Sequence, residues 1–126
     1  MSDDVRARRS DDRGQAAVEF AVALPLIVIA MLAIAQIGVS VRNEVAVELA
    51  AREGARAASV AADAHGAADH AARRATRLPV DVAVAVTAET VSVTVTYDDP
   101  TDLAIIGAAI GHVTHRATAT MAIEPP

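Results

Sequence analysis

The stretch FAVALPLIVIAMLAIAQIGVSV, from Phe20 to Val41, holds 22 residues and no charged side chain. A helix needs roughly 20 apolar residues to cross the hydrocarbon core of a bilayer. Pro25 lies near the start of the stretch, where proline disturbs a helix less than in the middle. A buried helix of a soluble protein is the alternative, but a chain of 126 residues could hardly wrap one of this length. The stretch therefore predicts a membrane-spanning helix.

The charges on either side of this stretch bear on its orientation. Residues 1–14 hold four arginines and four aspartates without an apolar period, which is typical of a disordered leader. Arg42, Arg52 and Arg56 follow the stretch. Because cytoplasmic flanks carry an excess of arginine and lysine, the small excess before the stretch favours an N-terminus in the cytoplasm.

Composition excludes several classes of function. The chain has no cysteine, which excludes disulfides and thiolate metal sites. Phe20 and Tyr97 are the only aromatic residues, so a large cofactor pocket is not expected. Beyond Val41 the chain carries seven arginines against eleven acidic residues, a balance that does not suggest nucleic-acid binding.

The helix is predicted to continue from Val41 to about Ala62, because this segment is rich in alanine and straight-chain residues. Glu48 and Arg52 have the spacing of a helical ion pair. Small residues four apart form two columns that would let another helix approach closely, although alanine is also simply frequent here. The first column is Ala46, Ala50, Gly54 and Ala58, and the second is Val47, Ala51, Ala55 and Ser59.

A break is predicted over Asp63–Gly66, followed by a short helix, AADHAARRATRL, that ends before Pro79. The arginines near its end suit the helix dipole. A phosphate site and a solvated face are both open interpretations of this cluster, which comprises Arg73, Arg74 and Arg77.

The apolar period then changes from helical to two. Alternating residues predict strands over 80–86, 91–97 and 112–123, the first two joined as a hairpin. The apolar connection Leu103–Gly111 is too short to span a membrane and would cover the sheet or rest on lipid. The predicted fold is α+β, with a long transmembrane helix continuing outside the membrane, a short helix and a small three-stranded antiparallel sheet.

No catalytic or metal-binding pattern is convincing. His65 and His70 share a helix face poorly, and His112 and His115 would point to opposite faces of a strand. We expect these histidines to be exposed or at the rim. Asp98, Asp99 and Asp102 lack the spacing of an EF-hand and are typical of a turn. We therefore expect no enzyme activity, no cofactor and no small-molecule substrate.

The segments RGQAAVEFAVALPLIV and AAREGARAA resemble the TadE-like pseudopilins of the tight-adherence (Tad/Flp, type IVb) pilus system. The strands VSVTVTY and ATATMAIEP are similar to those that such proteins carry. The resemblance implies a prepilin peptidase that cuts after Gly14, so that Gln15 becomes the first residue. Glu19 and Phe20 then occupy the fifth and sixth positions, where the family has a glutamate followed by an aromatic residue.

The resemblance implies that Glu19 attracts the new α-amine of an adjacent subunit during assembly. It also implies a single-pass protein of the cytoplasmic membrane whose partners are the peptidase, other Tad/Flp subunits and assembly-platform proteins. The expected regions are a cleaved leader over 1–14, an assembly helix over 15–41, exterior helices over 42–78 and a β domain over 79–126.

Two other interpretations remain open. The chain could be an uncleaved, membrane-tethered accessory protein that binds a partner through its exterior domain. Alternatively, the segment before Val41 could be a secretory signal, with Gly38 and Ser40 before the cut. The length of the apolar stretch and the acid at Glu19 weaken this second alternative.

Overall fold

The computed structural model describes residues 2–100 and 111–123, with side chains from Gly14 onward. The elements are α1 (Ser2–Ser59), α2 (Ala64–Ala75), β1 (Asp81–Val86), β2 (Thr90–Asp99) and β3 (Val113–Ala122). The predicted α+β fold, with a long first helix, a short second helix and three antiparallel strands, is confirmed. Of the predicted connection over Leu103–Gly111, all but Gly111 lies outside the described residues.

The chain divides into two compact units, Met1–Gly38 and Val39–Pro126. In the first unit α1 begins at Ser2, so the prediction of a disordered leader is wrong. Extending a helix that is already formed needs no new nucleus, and the alanine and arginines of the leader are favourable helix residues.

Within the second unit, α1 ends at Ser59, three residues before the predicted end. The predicted break is shorter than expected, because the Asp63 carboxylate accepts a hydrogen bond of 3.1 Å from the Gly66 backbone N–H and caps α2. Gly66 therefore lies in the first turn of α2. The helix ends at Ala75, where Thr76 is extended, rather than at Leu78.

The three strands lie in the order β1-β2-β3, with Val84 opposite Val93 and Val95 opposite Ala117. The inner face of β2 is fully covered, whereas its outer face carries hydroxyl side chains. Two of these bond across to β3, Ser92 to Thr120 at 2.7 Å and Thr94 to Thr118 at 2.8 Å. The predicted alternation of buried and exposed residues is confirmed in β2.

The core lies between this inner face, α2 and the part of α1 after Val41. It is made of small side chains, because most of its buried helical residues are alanine. The largest fully buried side chains are valines, namely Val47, Val91, Val93 and Val95. Burial of one such side chain contributes roughly 1.5–3 kcal/mol. A core of this kind holds its layers together only if they approach closely.

Candidate functional site

The residues predicted to matter for processing and assembly lie on α1. Gly14, Gln15, Glu19 and Phe20 are all exposed. Glu19 is the single charged residue between Gly14 and Arg42. Its carboxylate lies 3.4 Å from Gln15 Nε2, at the outer limit of a hydrogen bond. The α1 helix therefore holds the carboxylate one turn away from Gln15 and leaves it open to other groups.

An apolar surface follows Glu19 along α1 as far as Val41. The most apolar 18-residue window of the helix has a mean hydropathy of 2.6 and is 0% buried. Phe20, Leu26 and Ile34 are each more than 60% exposed. Water disfavours so much contiguous apolar surface, so it is expected to lie in lipid or against other helices. The helix is long and apolar enough to cross a membrane once.

The first predicted packing column lies within the second unit. Ala50, Gly54 and Ala58 are buried there and Ala46 is half-buried. A Cβ atom placed on Gly54 would lie 3.0 Å from Val93 Cγ1, 3.2 Å from the Ala68 carbonyl oxygen and 3.3 Å from Ala72 Cβ. The neighbours of this column are therefore α2 and β2 of the same chain.

A second cluster, which we call the polar junction, lies just after the uncharged stretch ends. It consists of Asn43 and Glu44 on α1, Tyr97 and Asp99 on β2, and His115 on β3. Asn43 Nδ2 donates a hydrogen bond of 2.9 Å to Asp99 Oδ2, and both side chains are buried. A buried carboxylate is costly unless it is hydrogen-bonded, so this contact makes the burial of Asp99 tolerable.

His115 is the most enclosed member of the polar junction, with a side chain only 4% exposed. Its Nδ1 lies 2.8 Å from Glu44 Oε2, and its ring stacks on Tyr97 with centroids 6.2 Å apart. Its Nε2 atom is buried and has no hydrogen-bond partner among the described residues. The expectation of exposed or rim histidines is therefore wrong for His115.

Burial and nearby charges in the polar junction shift the pKa of Tyr97. Burial raises the pKa of the Tyr97 phenol above its ordinary value of 10.0, because the phenolate would lose its hydration. The Asp99 carboxylate raises this pKa further by repelling the phenolate, and the Arg42 guanidinium opposes both effects. The junction therefore holds a neutral phenol over the whole physiological range.

The other candidate metal or catalytic residues are not brought together. His65 and His70 are exposed on α2, and His112 is exposed just before β3. Asp98 accepts a hydrogen bond of 2.7 Å from the Thr114 hydroxyl, and Asp102 lies outside the described residues. Among the side chains that the structure describes, no group of three or more His, Cys, Asp or Glu residues could hold a metal ion.

Sequence reasoning missed the polar junction as a unit. Glu44 and His115 are 71 positions apart, and Asn43 and Asp99 are 56 apart. One signal was available, since His115 falls on the same strand face as Val113 and Ala117. A polar residue within an apolar alternation indicates a buried polar contact, but it does not identify the partner.

Comparison with known proteins bears on the N-terminal region. The model of a family described as TadE-like protein matches residues 14–56, roughly a third of the chain. No curated protein and no solved structure matches the chain. The matched residues include Gly14, Glu19 and most of the AAREGARAA segment. Residues 14–56 are therefore similar to the TadE-like family, which agrees with the resemblance carried by the sequence motifs.

Proposed function

We propose that this chain is a non-catalytic minor pilin or pseudopilin that takes part in assembly of a Tad/Flp-type, type IVb pilus. The TadE-like match over residues 14–56 supports involvement in such a system. The finer role depends on the chemistry of the first turns of α1, where a leader, a glycine, an acid and an apolar helix follow one another in order.

The observation that carries the proposal is the position of Glu19. It is exposed, it is the only charged residue between Gly14 and Arg42, and it lies four residues after Gln15. Cleavage after Gly14 by a prepilin peptidase would leave a positive α-amine on Gln15. In lipid, an unpaired carboxylate is costly and a carboxylate paired with an amine is far less so. The α-amine of an adjacent subunit would therefore be held at the level of Glu19.

The pairing would set the register between neighbouring helices. A shift along the helix by one residue moves the two charges apart by about 1.5 Å, and a shift by one turn by about 5.4 Å. Apolar side chains slide past one another at little cost by comparison. Phe20 and the exposed residues that follow it would then supply the contact area with neighbouring subunits, while Glu19 would select the arrangement.

The proposal also assigns regions and partners. Residues 1–14 are the cleaved leader, 15–41 the assembly helix, 42–78 the exterior helices and 79–126 the β domain. The protein sits in the cytoplasmic membrane with its N-terminus inside, where the prepilin peptidase, other Tad/Flp subunits and assembly-platform proteins meet it. Ala50, Gly54 and Ala58 already pack within the chain. The contacts with other subunits therefore fall mainly on the residues before them.

Piliation of the native host tests the proposal. Gly14→Ala should block cleavage, and Glu19→Gln should leave membrane insertion intact but reduce incorporation into sheared fibres by at least about tenfold, because the amine loses its partner. Glu48→Gln is the matched control, since it removes an exposed carboxylate that pairs with Arg52 on the same helix. Normal piliation and normal incorporation in both Gly14→Ala and Glu19→Gln strains would refute the assembly role.

A further inference from the structure

A groove of about 280 Å³ lies between α1 and the segment that follows α2. Pockets that enclose drug-sized ligands are larger, roughly 300–1,000 Å³. The groove is therefore suited to a small group rather than to a whole cofactor. Its lining comes from two parts of the chain, namely Arg42, Asn43 and Ala46 on α1 and Thr76, Arg77 and Leu78 after α2.

Two arginines give the groove its charge. Arg42 and Arg77 are both exposed, and neither forms an ion pair with any residue that the structure describes. By contrast, Arg73 binds the Asp69 carboxylate and the Val80 carbonyl oxygen. A guanidinium presents its N–H groups as a planar fork that matches the oxygens of a phosphate. Two such forks on one small groove indicate an anionic ligand with several acceptor oxygens.

The uncharged members of the groove are compatible with such a ligand. The Thr76 hydroxyl oxygen accepts a hydrogen bond from the Leu78 backbone N–H, which leaves its O–H free to donate. Among residues 14–100 and 111–123, none that lines the groove is acidic. The Asp99 carboxylate, which contacts the groove residue Asn43, already accepts a hydrogen bond from the Asn43 amide. The Arg42 guanidinium also lowers the pKa of the Tyr97 phenol, so its charge is felt at the polar junction as well.

The position of the groove identifies the source of the phosphate. Arg42 directly follows Val41, the last residue of the uncharged stretch. The side chains that flank a membrane-spanning stretch lie at the depth of the lipid headgroups. Phospholipids carry their phosphates at this depth on either side of the membrane, whereas a soluble phosphate ion is not held there.

We propose that Arg42 and Arg77 hold the phosphate of an anionic phospholipid headgroup in this groove. The contact joins the end of the membrane helix and the end of α2 to one lipid, and so fixes the exterior domain against the bilayer. The inference rests on the proposed membrane insertion of α1 but not on a role in pili.

Native mass spectrometry of the full chain in detergent micelles tests this site. Phosphatidylglycerol and phosphatidylcholine of equal chain length are added in turn, and the retained lipid is counted. The wild-type protein is expected to retain phosphatidylglycerol about 5- to 30-fold better, the range given by one to two arginine contacts. Arg42→Gln with Arg77→Gln should bring the two lipids close to parity. Arg77→Gln alone should lower the preference about fivefold, and this exposed residue lies outside the helices and strands.

Arg56→Gln with Arg116→Gln is the matched control, because it removes two exposed arginines that do not line the groove. This control should keep the preference. A wild-type protein without preference would overturn the proposal, as would an equal loss in the groove and control variants. Displacement of phosphatidylglycerol by excess inorganic phosphate would also overturn it, since the site would then bind a free ion. Pilus counts do not enter this measurement, so its failure leaves the role of Glu19 untouched.

Discussion

Asn43 and Asp99 are joined by a hydrogen bond of 2.9 Å between two buried side chains that are 56 positions apart. Asn43 lies two residues beyond the uncharged stretch, and Asp99 is the last residue of β2. The bond therefore ties the end of the central strand to the first turn of α1 after that stretch. The stability of the second unit, Val39–Pro126, should depend on this contact more than on its exposed ion pairs.

Asn43→Ala is expected to lower the free energy of unfolding by about 1.5–3 kcal/mol, because it leaves a buried carboxylate without its donor. Urea unfolding followed by tyrosine fluorescence measures the effect, since Tyr97 is the only tyrosine and tryptophan is absent. Thr114→Ala is the control, because it removes an exposed bond to Asp98. A loss no larger than that of the control would show that the buried bond contributes little.

Gly54→Val is expected to destabilise the second unit by about 1–3 kcal/mol. Even a single Cβ atom at this position would lie 3.0 Å from Val93 Cγ1 and 3.2 Å from a backbone oxygen, and Val93 is fully buried. The steric cost should outweigh any gain in helix propensity. Gly38→Val, on the same helix with nothing within 4 Å, provides the comparison. Equal unfolding midpoints for the two variants would contradict the close packing of α1 on β2.

Stability should fall as the pH rises above about 10, because of Tyr97. Below the unfolded pKa of 10.0 the phenol is neutral in both states, and its contribution to stability is complete. Above that pH the unfolded chain releases its phenolic proton first, because the pKa of the phenol is raised in the folded state. The free energy of unfolding therefore decreases as the pH rises from the unfolded pKa to the folded pKa. The chain has no lysine or cysteine, so few other side chains titrate there.

Tyr97→Phe should remove this alkaline loss, and phenolate absorbance of the wild-type protein should titrate above the value for the urea-unfolded chain. Arg42→Gln should raise the pKa of Tyr97 further, because the guanidinium stabilises the phenolate. Identical titration curves for folded and unfolded protein would exclude a buried phenol.

Arg73→Ala is expected to cost about 1 kcal/mol of stability, because Arg73 Nη1 donates a hydrogen bond of 2.7 Å to the carbonyl of the buried Val80. The bond connects α2 to the start of the sheet. Its neighbour Arg74 makes no ion pair with the described residues, so Arg74→Ala should stay within about 0.5 kcal/mol of wild type. Thermal unfolding of the two variants, measured side by side, would distinguish them. Equal losses of stability in both would mean that the lost helix charge, and not the bond to Val80, causes the destabilisation.

Local patterns were sufficient to predict the architecture. The absence of charge from Phe20 to Val41, the Glu48–Arg52 ion pair and the alternation in β2 each involve neighbours within a few residues, and the structure contains all three. The bounds of α2 were less predictable, because Asp63 as an N-cap competed with Gly66 as a helix breaker, and the cap prevailed.

Contacts between distant residues were beyond the reach of the sequence. The pairing of Asn43 with Asp99 and of Glu44 with His115 depends on where β2 and β3 lie against α1. Periodicity predicts which face of a strand is covered but not which residue covers it. The neighbours of Gly54 show the same limit, since its column of small residues indicated close packing without indicating that α2 and β2 supply it.

Determination of the N-terminal residue of the mature protein, purified from its native membrane, tests the central claim most directly. Pairing of Glu19 with a free α-amine requires that amine to be on Gln15. The proposal predicts a mature chain that begins at Gln15 in pilus-forming cells. A chain that still begins at Met1 or Ser2 while pili form normally would contradict the proposal and favour a tethered accessory protein, and a chain that begins at Val41 would favour secretion.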